Sequence, residues 1–159
     1  TTRNRTLFPY TTLFRSNGSP NKNGNTAKLA AELLKGHEYE TLNLTDYTIG
    51  AYGQNLPSDG LDTVIGVMKQ ADTIVIGSPL YWHNICGSVR NVLDRFYGKV
   101  ESGELSGRKL YFVFQGAAPE QWMLEAGEYT MKRFAALYGM TYGGMATNKA
   151  DAAKLNKSL

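Results

Sequence analysis

Asn17-Gly-Ser-Pro-Asn-Lys-Asn-Gly-Asn-Thr26 is a run of small, amide-bearing and hydroxylated residues around a single lysine. A helical pattern follows at once. Ala27, Ala30, Ala31 and Leu34 recur at i, i+3, i+4 and i+7, which predicts an amphipathic helix from about Asn25 to Lys35, stopped by Gly36. A polar loop that empties into a helix N-terminus suits an anion. The first turn leaves backbone N–H groups without helical partners, and the macrodipole adds partial positive charge there. Ser19, Asn25 and Thr26 are candidate donors to phosphate oxygens, and Lys22 is a candidate counter-charge. The loop is not a Walker A motif, because five residues separate Gly18 from Gly24 and Asn25 holds the lysine position. The dinucleotide pattern G-x-G-x-x-G is absent as well. Taken alone, the loop is also compatible with an ordinary capped strand-to-helix turn.

Outward from this loop, strands and helices alternate. Thr11 to Ser16 is the only candidate for a strand before Gly18, although Arg15 is an awkward residue for a strand covered on both faces. Thr1 to Ser16 reads as a non-native leader, since it nearly repeats Thr-Leu-Phe, and residues 1–10 are expected to be an extension outside the fold. Tyr39 to Leu44 has the mixed polarity of a strand near a sheet edge. Leu61, Val64, Ile65 and Met68 mark a second helix. Ala71 to Ser78 carries the β-branched run of a strand buried on both faces, and Leu110 to Phe114 is another. Between them a third helix presents Ile85, Val89, Val92, Leu93 and Phe96. A fourth carries Met123, Ala126, Phe134 and Tyr138. Met140 to Thr147 is a last strand weakened by Gly143 and Gly144, and a short helix is expected over Asp151 to Leu159.

This alternation predicts a single α/β domain over residues 1–159. The expected architecture is a flavodoxin-like, doubly wound three-layer sandwich with a five-stranded parallel sheet of order 2-1-3-4-5. Ligands of such sheets bind beyond the carboxyl ends of the strands, so three loops matter: 17–26, 78–85 and 115–120. The second, Ser78-Pro-Leu-Tyr-Trp-His-Asn84, offers two large aromatics suited to walling a flat ligand, or alternatively a subunit contact. The third, Gln115-Gly-Ala-Ala-Pro119, has small residues that allow close backbone approach.

Composition narrows the function. The chain has 159 residues, 42% of them hydrophobic, with a net charge of +3, which argues for a globular domain and against a nucleic-acid surface. No apolar run reaches transmembrane length and no signal peptide is visible, so a cytoplasmic protein without membrane attachment is expected. One cysteine (Cys86) and two histidines (His37 and His83) provide no expected metal site. Cys86 reads either as a buried thiol or as a redox thiol near a helix start. His83 is a possible catalytic or flavin-polarising residue, or a loop histidine bonded to backbone.

Gly18-Ser-Pro-Asn-Lys-Asn-Gly-Asn-Thr26 followed by Ser78-Pro-Leu-Tyr-Trp-His-Asn-Ile-Cys-Gly-Ser-Val-Arg-Asn-Val-Leu-Asp-Arg-Phe-Tyr-Gly98 resembles the NAD(P)H-dependent FMN reductase group of the flavodoxin-like superfamily, over nearly all of Asn17 to Asn148. The resemblance implies that Ser19, Lys22, Asn25 and Thr26 hold the FMN phosphate. It further implies that Pro79, Leu80, Tyr81, Trp82 and His83 border the isoalloxazine ring, with Gln115, Gly116 and Ala117 on its pyrimidine side. Some relatives carry an iron–sulfur centre on cysteines after the second strand. Here Thr48-Ile-Gly-Ala-Tyr-Gly-Gln-Asn55 has none, which excludes that branch.

The implied activity is transfer of electrons from NAD(P)H through FMN to a small acceptor such as a quinone, nitro or azo compound. Backbone N–H groups at Gly116 and Ala117 would stabilise charge on the flavin ring. The alternatives are a flavodoxin-type electron carrier, against which the mildly basic charge argues, and a binding module without FMN. A homodimer is expected from the aromatics Tyr81, Trp82, Phe96 and Tyr97, more than one small core face needs.

Overall fold

The computed structural model describes residues 13–159; the expectation for residues 1–10 lies outside the described residues. The elements are β1 (Leu13–Asn17), α1 (Asn25–Leu33), β2 (Glu40–Asn43), α2 (Leu61–Gln70), β3 (Thr73–Tyr81), β4 (Asn84–Ile85), α3 (Gly87–Arg95), β5 (Lys109–Gln115), α4 (Gln121–Leu137), β6 (Thr141–Ala146) and α5 (Lys149–Asn156). The main sheet runs β2-β1-β3-β5-β6 with every pairing parallel. Counting only these five strands, that is the expected 2-1-3-4-5 order. An addition to the expected sheet is β4, a two-residue strand that folds back antiparallel on the end of β3.

Side-chain alternation explains the two covered faces. On β3, Ile74 and Ile76 join α2, α3 and α4 in one core, whereas Val75 faces α1 and α5 in the other. On β5, Leu110, Phe112 and Phe114 divide from Tyr111 and Val113 in the same way. Period-2 alternation between two apolar environments is what makes these strands read as continuous hydrophobic runs. Phe96, counted above among the aromatics left for a partner, is instead fully buried, against Phe134 and Tyr138.

Two expectations need correction. The buried stripe of α1 is Thr26, Ala27, Ala30 and Leu33, with Leu34 beyond its end, while Ala31 is exposed. Arg15 does not carry an uncompensated charge into the interior. It pairs in register with Val75 and so faces α1. From there its guanidinium donates to the Ala27 carbonyl at 3.1 Å and lies over the Tyr39 ring. Only its Nε is left buried without a partner. Main-chain and ring contacts of this kind accommodate a long cation at the margin of a core.

The irregular segment between β2 and α2 is pinned by α3. Arg95 Nη1 donates to Asp59 Oδ2 at 2.7 Å and to the Gly50 carbonyl at 2.9 Å, and Asn91 Nδ2 donates to the Ile49 carbonyl. Asp59 also accepts from the N–H groups of Gly50 and Leu61, closing the first turn of α2.

Candidate functional site

At the carboxyl end of β1 the loop is held by its own side chains. Asn17 Oδ1 accepts from the Ser19 N–H, Ser19 Oγ from the Asn21 N–H, and Asn21 Oδ1 from the Asn23 N–H. These are successive side-chain turns of the kind Asn and Ser favour. Asn17 also donates to Asn43 at the end of β2. The loop ends at Gly24, and α1 starts with no side-chain cap, so the first-turn amides of the helix remain available.

The sequence-derived residues divide by position. Ser19 and Thr26 are buried, and Asn25 is exposed at the head of α1. Lys22 points to the adjoining loop, where it pairs with Asp46 at 2.6 Å. Thr26 meets the third loop directly: Gln115 Nε2 donates to its hydroxyl at 3.0 Å across 89 positions of sequence. Pro79 is buried opposite Gln115 in the register of β3 and β5. Leu80 is half-buried against Gly116, where an added Cβ would stand 3.1 Å from the Leu80 Cβ. Ala117, Tyr81 and His83 are exposed, and Trp82 is 95% exposed. The three loops therefore converge on one edge of the sheet.

Several site-building residues escaped the sequence reading. Ser88 donates to the Gly18 carbonyl at 2.7 Å, tying the first loop to α3. Ser78, fully buried, donates to the Pro79 carbonyl and accepts from the Cys86 N–H. Cys86, read from the sequence as either a buried or a redox thiol, is buried, its sulfur near the Gly18 carbonyl and Ser88 Oγ. Trp122 stands edge-on to His83 at 5.6 Å. A further loop also joins the edge: a cavity of about 340 Å³ lies between α1, Gln115 and the β6–α5 junction at Thr147 and Lys149.

The turn between β3 and β4 holds Trp82 and His83 at φ 48° and 65°. Two consecutive left-handed residues make a type I′ hairpin turn, a conformation normally given to Asn-Gly. Backbone strain retained at such a place fits side chains selected for what they do. The double substitution Trp82→Asn with His83→Gly should therefore stabilise the chain by about 1–2 kcal/mol, read as a rise in thermal midpoint. An unchanged or lowered midpoint would show that Trp82 and His83 contribute more by packing than the turn loses.

Residues 13–151 match the family described as NADPH-dependent FMN reductase. The chain belongs to that family. Among curated relatives of this FMN reductase family member, an iron–sulfur flavoprotein of Archaeoglobus fulgidus is 39% identical over 95 residues, covering 52% of this chain and 47% of the relative. A putative NAD(P)H-dependent FMN-containing oxidoreductase of Bacillus subtilis is 28% identical, covering 50% of this chain and 49% of the relative. The chain thus spans about half the length of the curated relatives it matches. Among solved structures, the Trp repressor binding protein of Bacillus subtilis superposes with a TM-score of 0.74 at 19% identity, over 90% of this chain and 98% of that one. An FMN-dependent NADH-azoreductase of Bacillus anthracis gives 0.67 at 15% identity, over 94% and 95% of the two chains. These likenesses establish the flavodoxin-like fold.

Proposed function

We propose that this chain binds FMN at the carboxyl edge of its sheet and, with NAD(P)H as donor, passes electrons to a small flat acceptor such as a quinone, nitro or azo compound. The observation that carries the reading is the loop from Asn17 to Gly24, which is closed on itself and leads into an uncapped helix start. Its donors are neutral hydroxyls, amides and first-turn N–H groups, a set suited to a phosphate monoester. The Gln115–Thr26 bond joins that loop to the segment assigned to the ring's pyrimidine side. When bound, the flavin supplies the two-electron chemistry. The chain's part is to hold the phosphate, to place Gly116 and Ala117 N–H groups beside the ring, and to flank it with Tyr81 and Trp82.

Relatives are named iron–sulfur flavoproteins, yet a cysteine-held cluster takes four thiolates and this sequence has one cysteine. The residues present do not fit such a cluster, and flavin alone is proposed for this stretch.

Ser19→Ala and Thr26→Ala should each weaken FMN about tenfold, the loss of one hydrogen bond to a charged group, in fluorescence titrations of the flavin-free chain. Unchanged affinity in both returns the loop to a plain strand-to-helix connection. A homodimer is also proposed. Tyr52 and Tyr97 pack edge to face at 6.2 Å while each remains more than half exposed, and Trp82 projects nearby in sequence to α3. Sedimentation at micromolar concentration checks this, and a fully active monomer refutes it.

A further inference from the structure

Helix α4 buries one stripe, Met123, Gly127, Met131, Phe134 and Ala135, against the sheet. Its outer stripe is unusual for a solvated helix face. Trp122, Glu125, Tyr129, Arg133 and Ala136 are all exposed. At 3.6 residues per turn they lie within about 40° of Tyr129 around the helix axis. Trp122 and Tyr129 are each more than half exposed, which leaves a large aromatic area in water along one line.

The stripe is complementary to itself about its midpoint. Tyr129 is the central residue of α4, with eight residues on either side. Seven positions before it stands Trp122 and seven after it Ala136; four before it stands Glu125 and four after it Arg133. When such a helix meets an antiparallel copy across a two-fold axis at Tyr129, residues equidistant from the centre face each other. Trp122 then lies over Ala136 of the second copy, a large residue on a small one. Glu125 meets Arg133 of the second copy, and Tyr129 meets its own equivalent. The first two contacts each occur twice. A parallel pairing would instead set Glu125 against Glu125 and Arg133 against Arg133, so the charges select the antiparallel arrangement.

Local bonding leaves these charges available. Arg133 forms no ion pair among the described residues, and Glu125 accepts only a hydrogen bond from Gln121 at 3.2 Å among them. Glu128 and Lys132, on the flank towards β6, are by contrast paired with each other, and Glu128 also accepts from Tyr142. We propose that the outer face of α4 is a self-association surface whose partner is a second, antiparallel copy of α4 centred on Tyr129. It uses different residues from the Tyr52–Tyr97 contact and does not depend on the flavin reading. One end of it still reaches the candidate site. Trp122 stands edge-on to His83 and donates to Glu120, so pairing covers the outer side of that indole.

The test is sedimentation at micromolar concentration, in the parent chain and again with Tyr97→Ser, so that contact through the other residues cannot hide the result. Glu125→Arg and Arg133→Glu, each alone, set like charges opposite one another twice and should raise the dissociation constant of the α4 contact at least tenfold. An equimolar mixture of the two single variants restores both opposite-charge pairs, as does the chain carrying both substitutions. Each should recover to within about threefold of the parent, the pairwise term that a double-mutant cycle isolates. Tyr129→Asp, which brings two carboxylates together at the axis, should dissociate. A parent or a Tyr97→Ser chain that sediments as a monomer overturns the inference. So do single variants that associate like the parent, or a mixture that stays apart. All the α4 residues substituted are exposed, so the variants are expected to fold, and a thermal melt confirms it.

Discussion

Gly18→Ala should unfold roughly 6–12 °C below the parent and bind FMN at least tenfold more weakly. Gly18 ends β1 with its N–H on the Gly77 carbonyl and its own carbonyl accepting from Ser88. A Cβ there would stand 2.4 Å from Val89 Cγ2, 2.9 Å from Cys86 Sγ and 3.1 Å from the Gly77 carbonyl oxygen. Val89 and Cys86 are buried, and one of the contacts is backbone, so the obstruction cannot swing aside. Overpacking of this kind costs about 3 kcal/mol, and in a domain of this size each kcal/mol moves the midpoint by roughly 2–4 °C. Because the same methyl pushes the loop away from α3, the donors proposed for the phosphate move with it. Gly87→Ala is the control, since nothing lies within 4 Å of an added Cβ there. A Gly18→Ala chain with parental stability and affinity would mean that β1 and α3 separate more readily than their bonding indicates.

Arg95→Met should cost about 2–3 kcal/mol at neutral pH. Its side chain and that of Asp59 are 14% and 16% exposed, and removing the cation strands a carboxylate that also organises Gly50 and Leu61. The acid limb of the stability curve provides the sharper check. The Arg95 guanidinium, helped by the backbone N–H donors and opposed by burial, holds the Asp59 carboxyl below the usual aspartate value. A depressed native pKa contributes stability that is present above the unfolded value, near 4, and is lost as pH falls through the lower native value. The gap between parent and Asp59→Asn should therefore be full at neutral pH and shrink as pH falls below about 4. A gap independent of pH would place the aspartate's contribution in its shape rather than its charge.

The fold was legible wherever both faces of a strand meet apolar layers. Ile74 to Ile76 and Leu110 to Phe114 could hardly be anything else, and the turn glycines bounded the helices between them. Arg15 obscured β1 because a cation that escapes along α1 towards Tyr39 looks, in sequence, like one that cannot escape. Ala31 fitted the helical period but lies at the margin of the stripe, where a small side chain is tolerated in water. β4 left no trace because Trp82-His83 lacks the turn chemistry its backbone demands. For the site, composition picked out three loops but not their contacts. The Gln115–Thr26 bond spans 89 positions, and the fourth loop hid behind a lysine that reads as ordinary surface. Kinship and cofactor also part company here. The chain aligns with iron–sulfur flavoproteins while lacking the cysteines a cluster takes.

The bonded turns from Asn17 to Asn23 bear on the thermodynamics of loading. A loop that must be ordered by its ligand charges that ordering to the binding free energy and adds a folding-like heat-capacity change. This one holds its shape through Asn17, Ser19 and Asn21 before any anion arrives, so the heat capacity of binding should reflect ring burial alone. On the proposed flavin reading, Asn17 and Asn21 would set how fast and how tightly the phosphate is captured by holding the loop that receives it.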